Sequence, residues 1–482
     1  MLFNSLHFLL FFPIVVAIYF SIKQKYRWIL LLIASYYFYM SWKAEYIILI
    51  MLSTLVDYVA GWQIHASKSL RRKKAFLWLS IVTNLGLLFA FKYFNFFSDS
   101  LRALLATWSI PLSPVTLKVL LPVGISFYTF QTMSYTLDIY FGKIKPEKHL
   151  GIFAVYVSFF PQLVAGPIER ARNLLPQFYE KHKFEYVRVT NGLKLMLWGF
   201  FKKIVIADRL AIVVNMVYNN PTEYHGIALL LATIFFAYQI YCDFSGYSDI
   251  AIGAAQVMGF NLMDNFKRPY FSGSISEFWK RWHISLSSWF RDYVYIPLGG
   301  NRVSVPRWYF NLFFVFLVSG LWHGANWTFV LWGALHGFYL VFSIITATPR
   351  KALCNFLRLP KVPWLLKGLQ IASTFVFVNI GWIFFRANNI SEGWYVLKNI
   401  FVGWSLDFSG INLGGIGWEG LIFSFLIILF MEFVHLLQEH MRMREFLSRK
   451  PVVLRWSIYL LILSMIFIFG VFENVEFIYF QF

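Results

Sequence analysis

Apolar runs long enough to cross ~30 Å of hydrocarbon recur from one end of this sequence to the other. A chain built that way has few folds open to it. With no water in the bilayer core, every backbone N–H and C=O in a span must be paired internally, so bundled helices are the expected architecture. Composition agrees: 59% of the residues are hydrophobic and only 14% are charged, which excludes an ordinary soluble domain. The expectation is an all-α polytopic membrane protein of roughly a dozen transmembrane or re-entrant helices, some interrupted by Gly or Pro. The first run, after Met1, has neither a basic leader nor a small-residue cleavage site, and is expected to be a retained span.

A net charge of +20 could point to nucleic acid, but its distribution argues otherwise. Basic residues cluster in short loops: Lys23, Lys25 and Arg27; then Lys68, Arg71, Arg72, Lys73 and Lys74; then Arg442, Arg444, Arg449, Lys450 and Arg455. Short basic loops stay cytoplasmic. One span precedes the first cluster, two (about 28–42 and 46–64) separate it from the second, and one (about 456–472) follows the last. Both termini are therefore expected on the outer face, in contact with lipid and not with nucleic acid. Cys242 and Cys354 lie far apart and indicate neither a disulfide framework nor a metal site.

The sequence reads as one membrane domain over 1–482: scaffold helices over 1–121, with few buried polar groups to about residue 97, a polar core over 122–345, plain spans over 346–472 and an outer tail over 473–482. Polar groups at membrane depth cost several kcal/mol unless they line a cavity, so the core is where a site is expected. Four stretches carry it. In Phe160-Pro-Gln-Leu-Val-Ala-Gly-Pro-Ile-Glu-Arg170 two prolines demand a helix end or a re-entrant turn. In Tyr241-Cys-Asp-Phe-Ser-Gly-Tyr-Ser-Asp249, Asp243, Ser245 and Ser248 would cap a following helix if their role is structural. In Glu277-Phe-Trp-Lys-Arg-Trp-His-Ile-Ser-Leu-Ser-Ser-Trp-Phe-Arg-Asp292, helical spacing puts Trp282 and Trp289 on one face and Arg281, Ser285, Ser288 and Asp292 on another, a pattern shared with an interfacial helix.

The fourth, Ser319-Gly-Leu-Trp-His-Gly-Ala-Asn-Trp-Thr328, places His323 near the middle of an apolar stretch, with Asn326 a turn later and Trp322 and Trp327 beside it. Gly320 and Gly324 leave room for a partner helix or a substrate. With an ordinary pKa near 6.5, a histidine there can take a proton from a hydroxyl; the bland alternative is a hydrogen bond to a neighbouring helix. No nucleophile elbow, phosphate loop or zinc motif accompanies it.

Trp279-Lys-Arg-Trp-His-Ile-Ser-Leu-Ser together with Leu321-Trp-His-Gly-Ala-Asn-Trp resembles the two-histidine signature of the membrane-bound O-acyltransferases. The stretches beginning at Pro122, Phe160 and Tyr241 resemble the bacterial branch that O-acetylates envelope polysaccharides. The resemblance implies helices around a central funnel, His323 as the catalytic histidine and His283 as its support. Candidate substrate or tunnel residues are Trp322, Asn326, Trp327, Arg281, Trp282, Ser287, Asp243 and Gln162. It implies no bound cofactor, acetyl-CoA as cytoplasmic donor, a polysaccharide acceptor outside a bacterial inner membrane, and a separate partner of the SGNH-hydrolase type. The frame Phe477-x-Tyr479-x-x-Phe482 is similar to the tail of a small partner in teichoic-acid D-alanylation, whose tyrosine is proposed to carry the acyl group. Tyr479 is then expected to be an acyl carrier, inserted by Phe477, Phe480 and Phe482; otherwise it is an interfacial aromatic. D-alanyl transfer, a transporter and a non-catalytic scaffold are the competing readings.

Overall fold

The structure, a computed structural model, describes residues 1–404, 417–472 and 477–480. Among them every regular element is helical. Seven helices are long and apolar enough to cross a membrane: Ala44–Ala66, Leu70–Ala106, Ile227–Met258, Trp327–Ile345, Pro363–Arg386, Trp418–His440 and Val452–Phe469. Two shorter apolar helices, Leu6–Ser21 and Leu150–Leu163, account for part of the difference from the expected dozen. The run expected at 28–42 is a helix over Gln24–Met40, and the last one ends at Phe469 rather than at Phe472. Val452–Phe469 leaves most of its Leu, Ile and Phe side chains uncovered by protein, which only lipid can satisfy.

The chain forms two compact units. The first comprises Met1–Met196 and Tyr247–Asp264. Here the helices Ile47–Ala66, Leu70–Leu88 and Ile125–Tyr140 pack together. Their contact face is not purely apolar. Asp57 is fully buried and accepts from the Ser80 hydroxyl at 2.5 Å and the Asn84 amide at 2.8 Å, while Ser53 and Thr132 donate to Asn84 at 2.6 and 3.2 Å. The expectation of few buried polar groups before residue 97 is therefore corrected. Ser, Thr and Asn at helical spacing on three helices supply what one carboxylate needs, so each polar group is paired without water.

The break at 159–167 takes the form of a turn. The helix Leu150–Ser158 ends, Phe159 leaves helical geometry, and Phe160–Leu163 restarts with Pro161 in its first turn, where a missing N–H costs nothing. The loop then brings Glu169 inward, where it accepts the Met263 N–H at 2.5 Å.

The second unit comprises Leu197–Gly246 and Asn265–Phe482. Its centre is an antiparallel hairpin of Val305–His323 and Trp327–Ile345, with Pro363–Arg386 packed against the second arm. Glycines allow the crossing. A Cβ on Gly320 would lie 2.3 Å from the Phe329 carbonyl oxygen, and one on Gly333 would lie 2.3 Å from that of Phe316.

Candidate functional site: two histidines and a tyrosine

The segment expected to be one amphipathic helix around His283 is two short ones, Ile275–Arg281 and Ile284–Phe290, so the two faces assigned to it do not exist. The break is at Trp282–His283. His283 has φ 43° and ψ 55°, a left-handed conformation that a side chain with a Cβ adopts only at a cost. Asn265 holds it there: its carbonyl accepts the Ile284 N–H at 3.0 Å, and its side-chain oxygen accepts the Ser285 hydroxyl at 2.9 Å. The turn buries the imidazole completely, against the ring of Phe244 at 4.6 Å. Burial pushes its pKa down to about 3, so the ring is neutral.

His323 does not sit mid-helix. It is the last residue of Val305–His323; Gly324 leaves the helix in an extended conformation, and a side chain there would strike the Phe329 ring. Asn326, expected one turn along the same helix, caps the next one instead: its side chain accepts the Thr328 N–H at 3.0 Å. The His323 ring is buried among Trp322 at 5.0 Å, Trp332 at 4.9 Å and Phe385 at 5.4 Å. Behind Trp332 lies His336, also fully buried, whose Nδ1 accepts the Trp279 indole N–H at 3.2 Å. His336 escaped the sequence reading, although its i, i+4 spacing from Trp332 could have signalled it.

Tyr479 packs beside both histidines, the three rings forming a nearly equilateral triangle. Its ring centroid is 5.7 Å from that of His323 and 6.2 Å from that of His283, and the histidines are 6.4 Å apart. Phe244 forms the floor, 4.4 Å from Tyr479, and Phe477 stacks on the tyrosine at 5.6 Å. Burial, with the nearby Asp243 carboxylate, raises the phenol's pKa well above its ordinary value. The phenol therefore stays protonated until a base acts on it. The side chain of Phe480, and Phe482 altogether, lie outside the described residues.

Asp243 and its neighbours do not cap a helix, because Ile227–Met258 runs unbroken through Gly246. Asp243 instead reaches the Tyr479 segment: its Oδ2 accepts the Ile478 N–H at 2.8 Å, and its Oδ1 pairs with Lys203 at 2.8 Å. Trp322 and Trp282 are buried nearby, Trp322 at 6.0 Å from His283 and Trp282 stacked on Phe278 and tilted against Trp382. Four other candidates are not among these residues. Trp327 is 54% exposed at the start of its helix. Arg281 is half-buried in ion pairs with Glu277 at 2.8 Å and Glu439 at 3.0 Å. Ser287 donates to the Trp282 carbonyl at 3.3 Å. Gln162 belongs to the first unit, where its amide donates to Gln131 at 2.7 Å.

Among the described residues, a multi-pass helical membrane protein thus brings two buried imidazoles into ring contact with one phenol. Residues 46–385 match the membrane-bound O-acyltransferase family, and the chain belongs to it; it is an O-acyltransferase. It is 41% identical over 439 residues to a probable alginate O-acetylase of Pseudomonas aeruginosa, covering 89% of this chain and 81% of that one. It is 36% identical over 397 residues to a peptidoglycan O-acetyltransferase of Helicobacter pylori, covering 77% and 73%. A teichoic acid D-alanyltransferase of Bacillus subtilis is 30% identical over 228 residues, covering 44% and 56%.

Proposed function

We propose that this chain moves acetyl groups from a cytoplasmic thioester, acetyl-CoA, through the bacterial inner membrane to hydroxyls of an extracytoplasmic polysaccharide, with Tyr479 as a covalent relay. The observation that carries this reading is the contact of the Tyr479 ring with the rings of both His323 and His283. In the first step the phenolic oxygen attacks the thioester carbonyl carbon, His323 takes the phenolic proton, the C–S bond breaks, and the proton passes to the leaving thiolate. In the second an acceptor hydroxyl attacks the tyrosyl ester, the ester C–O bond breaks, and the phenol regains a proton. A phenol whose ionisation is disfavoured makes proton transfer concerted with attack, so a base at ring-contact distance is required. His283, buried and neutral, packs beside the phenol and helps to position it.

Acetyl as the group, and alginate or peptidoglycan as the class of acceptor, are supported by the names and greater coverage of the acetylating relatives over the D-alanylating one. The basic-loop pattern supports outward termini, and an SGNH-type partner would complete transfer to the polymer. Purified protein incubated with acetyl-CoA is expected to carry one acetyl on the peptide containing Tyr479. His323→Ala at normal membrane abundance is expected to lower polymer acetylation by at least about 100-fold. Full activity in Tyr479→Phe refutes the relay, and retained acetylation in His323→Ala refutes the base.

A further inference from the structure

Three buried charges meet beneath the Tyr479 segment. The Lys203 ammonium is inaccessible to solvent and lies 2.7 Å from Asp208 and 2.8 Å from Asp243. Neighbouring Lys202 turns away, donating to Ser245 at 2.9 Å. Two carboxylates thus share the Lys203 ammonium, and Asp243 directs its second oxygen at the backbone N–H of Ile478. Buried charge is tolerated only when its lone pairs and protons are satisfied, and here a tail amide does part of that work.

We infer that Asp243, braced by Lys203 and Asp208, is a clamp that seats the Tyr479 segment by gripping its backbone, and so sets which side chain faces the histidines. The register follows from adjacency. Asp243 fixes the amide of Ile478 while the next residue of the same helix, Phe244, carries the ring on which Tyr479 rests. A slip by one residue would offer Ile478 or Phe480 to His323 in place of the phenol. Because the grip is on an N–H, it does not depend on the Ile478 side chain. Asp243 is then a positioning residue, acting on the reaction through Tyr479. The clamp rests on the relay reading only for its purpose, and its existence is tested separately.

The test compares wild type, Asp243→Ala, Ile478→Ala and Ile478→Pro as full-length protein in detergent. Alanine keeps the gripped N–H and proline deletes it; position 478 opens a short helical turn, where proline's fixed φ is accommodated. Two quantities are read: hydrogen–deuterium exchange of the peptide spanning 477–479, and acetyl on Tyr479 after incubation with acetyl-CoA. The expected result is exchange at least tenfold faster, and acetyl yield at least tenfold lower, in Ile478→Pro than in Ile478→Ala, with Asp243→Ala resembling the proline variant. Equal exchange and equal acetyl yield in the proline and alanine variants overturn the clamp. Should Asp243→Ala fail to fold, the tail variants alone decide. If wild type carries no acetyl, the relay falls by itself and exchange still judges the clamp: faster exchange in the proline variant upholds it, and equal exchange overturns it.

Discussion

Gly320→Ala isolates how closely the catalytic geometry depends on one helix crossing. The added Cβ would sit 2.3 Å from the Phe329 carbonyl oxygen and 3.0 Å from the Gly333 Cα. Both are backbone atoms, so no side chain can swing aside. Restoring even a 3.0 Å contact with the Phe329 oxygen needs the arms to part by about 0.7 Å, at a packing cost of about 1–3 kcal/mol. His323 is three residues further along the same arm, and Trp332, against which it packs, is on the other. A displacement approaching 1 Å at a reacting group costs up to about 100-fold in rate. Acetylation per folded molecule is therefore expected to fall about 10- to 100-fold, alongside a lower melting temperature in detergent. Gly368→Ala is the control, since its Cβ meets nothing within 4 Å and the helix gains propensity. Wild-type specific activity and melting in Gly320→Ala would refute the claim that this crossing places His323.

Glu169 should make stability depend on pH. Burial pushes its pKa up to about 7 from 4.5, so the folded state holds the proton more tightly than the unfolded one. Its contribution is intact below about pH 4.5 and is lost as pH rises toward 7, by an amount on the order of 3 kcal/mol at most. The melting temperature should fall more over that window in wild type than in Glu169→Gln; parallel pH curves would exclude Glu169 as the cause. Asp57→Leu removes the acceptor of the Ser80 hydroxyl and Asn84 amide, and is expected to cost about 1–3 kcal/mol by thermal melt while leaving activity per folded molecule intact. Arg281→Ala breaks only half-exposed ion pairs, so a stability change below about 1 kcal/mol that shrinks further in high salt is expected, with acetylation retained.

What could be read from the sequence follows from which forces act locally. Apolar run length is set by bilayer thickness, so the helical membrane architecture was legible. His323 stood out because an imidazole in an apolar stretch is costly enough to require a reason, whereas His283 was singled out by the resemblance to a two-histidine signature. Helix ends inside those runs were not legible. The His323 helix ends at Gly324, where only a residue without a side chain fits against the Phe329 ring, a contact formed only when the hairpin closes. The left-handed turn at His283 depends equally on Asn265, eighteen residues upstream, which periodicity within 277–292 cannot contain. Asp57 was passed over because its closest partners, Ser80 and Asn84, lie on the following helix, and within its own helix it looks like an isolated polar residue.

Asp243 shows the same limit at the site itself. In sequence it stands beside Ser245 and Ser248, and local chemistry makes that group a helix cap. The helix instead continues, and the carboxylate finds its partners 40 residues upstream at Lys203 and 235 residues downstream at Ile478. Such partners are invisible to any window of helical length, yet they decide where the phenol of Tyr479 comes to rest. The histidines alone define a place where a proton can be taken. The backbone contact from Asp243 holds the amide next to Tyr479, so the tail amide, rather than a further ionisable side chain, is where the proposed relay is most directly tested.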